Sequence, residues 1–107
     1  MDELERNNYA ELCGTLAAPP ALSHENRQER FFTFPLETQR LSGTIDRVNV
    51  VVRERLLSAL WDVGTRVSLE GRLQSRSYIK VLDTGAVERT AFEVSVLDIC
   101  RLSPPGD

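Results

Sequence analysis

The chain has 107 residues, 41% of them hydrophobic and 27% charged, which fits one globular domain spanning 1–107 and leaves no room for a second core. Multi-domain enzymes and disordered or fibrous chains are thereby excluded. A net charge of −3 argues at first sight against a nucleic-acid partner, because polyanion binding needs a basic surface.

The elements follow in chain order. Residues 8–16, NYAELCGTL after the first Asn, carry Tyr9, Ala10, Leu12 and Leu16 in partial alternation, with Gly14 placed as a bulge or bend. This is the first strand. Pro19-Pro20 and the polar run after Ala21 predict a loop or a short irregular hairpin. The second strand, 30–38, puts Phe32, Phe34 and Leu36 on one face as barrel core. Phe31 then faces outward, and Pro35, also off the core face, predicts an edge, a bulge or an unpaired position.

A turn at Leu41-Ser42-Gly43-Thr44 leads to a third strand, 46–53, with Val48, Val50 and Val52 inward and Arg47, Asn49, Val51 and Arg53 outward. Leu56, Leu57 and Leu60 recur with helical spacing, which predicts a short helix from Glu54 to about Val63, with Gly64 at its C-terminal cap and Trp61 closing the core. Residues 66–74 alternate strictly and form the clearest strand. Residues 77–82, a turn at Asp83-Thr84-Gly85 and residues 90–99 complete a hairpin and a last long strand, and the tail 103–107 is expected to fray. The predicted fold class is all-β: an OB-fold, a five-stranded Greek-key barrel with one short helix between the third and fourth strands and an ordered core of about 8–102.

Candidate chemistry is sparse. Cys13 and Cys100 have no CxxC partner and no nearby His, so metal binding is not expected and buried free thiols are. The single histidine, His24, sits in a polar stretch, and no GxSxG, P-loop or HExxH occurs, so neither an enzyme nor a cofactor is expected. Apolar runs fall short of the roughly 18 residues that span a bilayer. Charged Asp2, Glu3, Glu5 and Arg6 stand where a signal peptide would begin. The expectation is a cytoplasmic protein with no membrane partner.

The segment Asn8…Leu12-Cys13-Gly14-Thr15-Leu16 fits Asn-x-x-x-Leu-x-Gly-x-Leu, and Gly64-Thr65-Arg66-Val67-Ser68-Leu69-Glu70-Gly71-Arg72-Leu73 runs on into Arg76 and Tyr78. Together they resemble the bacterial single-stranded DNA-binding (SSB) family, with its related primosomal replication protein N, over residues 8–102. The resemblance implies a strand of DNA lying along a basic groove with bases stacked on aromatic side chains. It implies a site of Arg47, Arg53, Arg72, Arg76 and Tyr78, with Arg40 and Lys80 on flanking loops or hairpin arms. Tyr78 is the one aromatic at a family stacking position, the others falling near Ser42 and on Arg47 and Arg53, where a guanidinium can stack in place of a ring. It further implies that the first-strand edge around Tyr9, Glu11 and Cys13 pairs with another copy to give a dimer or tetramer. The family's flexible linker and acidic tip do not follow Leu102, so recruitment of replisome proteins through such a tail is not expected.

Two alternatives stay open: an oligomeric replisome interaction module with weak or no DNA binding, and an oligosaccharide-binding OB domain, since fold does not decide ligand. Charge distribution favours DNA. Residues 1–39 carry −4, residues 40–80 carry +4 and residues 81–107 carry −3, and twelve of the thirteen basic residues are Arg. The net charge therefore conceals a localised basic strip.

Overall fold

The computed structural model describes residues 8–103. Asp2, Glu3, Glu5, Arg6 and the tail from Pro104 lie outside them. Six strands follow one another: β1 Ala10–Leu16, β2 Ala21–Glu25, β3 Arg30–Gln39, β4 Ile45–Arg53, β5 Arg66–Leu82 and β6 Gly85–Arg101. In the sheet they run β1-β5-β6-β4-β3-β2, and β1 also pairs with β3, so β1, β5, β6, β4 and β3 close into a five-stranded ring. All pairings are antiparallel except β4 with β6. This is the OB-fold expected from the alternation, and of the two readings of the polar run after Ala21 the short irregular hairpin is the one found, with β2 folded back on β3.

Closure depends on Gly14. A Cβ there would run into the Glu37 carbonyl where β1 crosses from β5 to β3, so only glycine lets the two backbones approach. Pro35 sits opposite Asn49 within the β3–β4 ladder. Its carbonyl accepts from the Ala17 amide, and N and O of one strand residue point the same way, so the missing N–H costs the β4 pairing nothing.

The core is the inward face the sequence marks out: Leu16, Phe34, Leu36, Val50, Val52, Val67, Leu69, Val94 and Val96, with Phe32, Val48 and Trp61 packed at its margin. Truncating Leu16, Phe34, Leu36 or Leu69 to Ala in such a core costs about 2–5 kcal/mol each.

Three expectations change. The segment after β4 makes only one 3-10 turn, Glu54–Leu56, in place of a helix reaching Val63. Trp61 N then bonds Ser58 O, Thr65 N bonds Asp62 O, and the Ser58 and Thr65 hydroxyls accept from Leu60 and Asp62 amides. These local bonds compete with a helical ladder, and a single turn is too short to nucleate one. Gly64 has φ +87° as a cap would, but ends a turn. Cys13 and Cys100 are exposed rather than buried, because both pair with Ser68 and share its outward face. Finally, β5 runs unbroken from Arg66 to Leu82, so β5 and β6 leave the barrel together as one long hairpin.

Candidate nucleic-acid interface

Parity along β5 puts Arg72, Gln74, Arg76, Tyr78 and Lys80 on one face, and the register sets them against Ser95, Glu93, Ala91, Arg89 and Val87 of β6. Ser95 and Glu93 in turn pair with Val51 and Asn49 of β4, which share their face with Arg47 and Arg53. The outer face of β4 and the hairpin arm are thus one continuous surface. Six of the seven expected residues, Arg47, Arg53, Arg72, Arg76, Tyr78 and Lys80, lie on it.

Arg40 does not join them. Its Nε and Nη2 donate to Asp46 at 2.7 and 2.8 Å, and Asp46 has the parity of Val48 and Val50, so the guanidinium is drawn to the other side of β4. This fork braces the turn between β3 and β4, where Gly43 at φ +95° reverses the chain. The pair raises the Arg40 pKa, first through the hydrogen bond, and holds Asp46 below the usual carboxylate value of 3.8.

The surface has two electrostatic halves. On β4, Arg47 lies 2.9 Å from Glu37, its cross-strand neighbour, and Arg53 lies 3.1 Å from Glu29. The Glu29 contact is a charge pair only, since its buried Oε2 accepts no hydrogen bond. On the hairpin, Arg72, Arg76, Lys80 and Arg89 take part in none of the ion pairs found among the described residues. Tyr78 stands among them, 45% exposed, opposite Arg89. Between the halves Glu93 is nearly buried and accepts from the Gln74 amide at 2.9 Å. Arg89 escapes a reading of motifs; pairing parity about the Asp83-Thr84 turn would have found it.

The first-strand residues lie elsewhere on the barrel. Among the described residues the β1 backbone pairs with β3 only at Thr15 and Leu16, and none of them pairs with its second edge from Ala10 to Gly14. Glu11 and Cys13 point outward beside Glu70, Ser68, Asp98 and Cys100. The Tyr9 hydroxyl donates to Glu70 at 2.6 Å, and this bond, then burial, then the Glu11 and Glu70 charges push its pKa up to about 12. Among the described residues no cluster of three or more His, Cys, Asp or Glu could hold a metal ion, and no helix is long and apolar enough to cross a membrane.

No protein-family model and no curated protein matches the chain, whereas 145 chains of solved structures do. One is described as the dimeric structure of the N-terminal domain of PriB protein from Thermoanaerobacter tencongensis. It is 35% identical, superposes with a TM-score of 0.72, and the match covers 91% of this chain and 98% of that one. The chain belongs to the SSB/PriB-like family of OB-fold proteins.

Proposed function

We propose that this protein binds single-stranded DNA, without catalysis and with little sequence preference, as a cytoplasmic accessory in DNA replication, recombination or repair. The observation that carries the reading is Tyr78 set among Arg72, Arg76, Lys80 and Arg89 on one face of the hairpin, none of the four in an ion pair among the described residues. Unneutralised guanidinium groups meet phosphates and the phenol ring meets a base, a combination that tolerates any sequence because every base has a π-face. The β4 half, with Arg47 and Arg53, extends the path once phosphates replace Glu37 and Glu29.

Self-association as a dimer or tetramer belongs to the same reading. The open β1 edge from Ala10 to Gly14, flanked by Tyr9, Glu11 and Cys13, offers unpaired backbone groups to a second copy, and the PriB domain it resembles is described as dimeric.

Titrating the purified protein with labelled oligo-dT by fluorescence anisotropy at two salt concentrations tests the reading. Binding at low salt that weakens steeply at higher salt is expected. Absence of binding at low salt would instead favour a replisome interaction module, the alternative to which the paired state of Arg47 and Arg53 points.

A further inference from the structure

On the same face, well away from Tyr78, the rings of His24 and Phe31 stack with centroids 4.5 Å apart and planes inclined by 11°. The pair exists because of a bulge. Leu22 pairs with Phe32, but it is His24, not Ser23, that pairs with Phe31, so one extra residue on β2 turns the imidazole onto the outer face. Bulges of this kind re-aim a side chain and gather at functional rims. Leu22 keeps the parity of the inward face, whereas His24 joins Phe31 and, across the next ladder, Arg53.

The surroundings suit a nucleotide. A cleft of about 120 Å³ adjoins the pair on the Phe31 side and is lined by Phe31, Val51, Leu56 and Leu97 together with Arg53 and Arg55. His24 is exposed, with one ring face on Phe31. We infer that His24 and Phe31 form a second base-stacking subsite, at which a base lies against the imidazole while Arg53 or Arg55 takes the adjoining phosphate. The inference rests on the strand-binding reading above. Along the sheet the subsite lies about eight residues and three strands from Tyr78, a path of roughly 30 Å. One strand of DNA would therefore touch aromatic side chains at both ends of the face and guanidinium groups between them.

The test uses the intact protein and two probes: an oligo-dT and an abasic deoxyribose-phosphate oligomer of the same length. His24→Ala is expected to weaken oligo-dT binding about fivefold or more, the loss of one base stack, and to leave abasic binding unchanged. His24→Phe should retain wild-type affinity for oligo-dT, and both variants should keep the wild-type melting temperature. Equal losses on the two probes, or no loss on either while the wild type binds oligo-dT, would overturn the subsite alone. A wild-type protein that binds neither probe would overturn the strand-binding reading and the subsite with it.

Discussion

Asn8 holds Leu73 by both backbone groups: its Nδ2 donates to the Leu73 carbonyl at 2.7 Å and its Oδ1 accepts from the Leu73 amide at 2.9 Å. The side-chain amide imitates one more residue of β1, continuing the ladder past the Ala10–Gly71 pair at the point where β5 leaves the barrel. That gives the opening Asn of the family-like motif a structural task. Asn8→Ala removes both bonds, and the expected loss is about 1 kcal/mol of stability at this exposed position. Hydrogen exchange should show the Leu73 amide losing protection while the Leu69 amide, deeper in the ladder, changes little.

Glu37 and Glu29 hold the guanidinium groups of Arg47 and Arg53, which on the proposed reading take phosphates instead. Ion pairs between side chains that stay partly exposed, as these do, hold by about 0–1 kcal/mol, so a phosphate can displace them at modest cost. Converting both carboxylates to amides (Glu29→Gln with Glu37→Gln) is expected to tighten oligo-dT binding by about twofold to fivefold. Arg40→Ala should leave affinity unchanged, because that guanidinium is drawn to the other side of β4. Anisotropy titrations of the variants at one salt concentration check both outcomes.

The Tyr9 phenol should be visible in a spectrophotometric titration as a group ionising near pH 12. Its largest cause is the hydrogen bond to Glu70, so Glu70→Gln should bring it down towards the usual value of 10.0. A folded pKa above the unfolded one means that this bond stabilises the protein fully below about pH 10. Its contribution is lost as pH rises towards 12. Tyr9→Phe should accordingly abolish that part of the alkaline loss of stability.

The Arg40–Asp46 fork has the opposite dependence. With the Asp46 carboxyl held below its usual 3.8, the pair contributes stability above that value and loses it as pH falls through the lower folded value. Melting temperatures of wild type and Asp46→Asn should differ at neutral pH and converge in strong acid.

Alternation alone made the barrel legible. Val48, Val50 and Val52 against Arg47, Asn49 and Arg53 named both faces of β4, and residues 66–74 named those of β5. Features set by pairing between distant segments were not legible. Glu37 meets Arg47 because the turn at Gly43 fixes the β3–β4 register, and no local pattern reports that register. His24 reaches the outer face through one extra residue at Ser23, a shift invisible in a polar run. The leucines at 56, 57 and 60 carry helical spacing, yet side-chain and turn bonds from Ser58 and Thr65 take the backbone groups that a helix would use. Cys13 looked like core because its strand does; its parity matches Ser68 rather than Leu12.

The most direct measurement is the slope of log affinity against log salt for oligo-dT, in the wild type, Arg72→Ala with Arg76→Ala, and Arg47→Ala with Arg53→Ala. Each lost phosphate contact on a single strand should flatten the slope by about 0.7. The hairpin double variant should therefore lose roughly 1.4 from the slope. The β4 double variant should lose less, because its guanidinium groups must first leave Glu37 and Glu29. Equal slopes in the wild type and the hairpin variant would contradict the account.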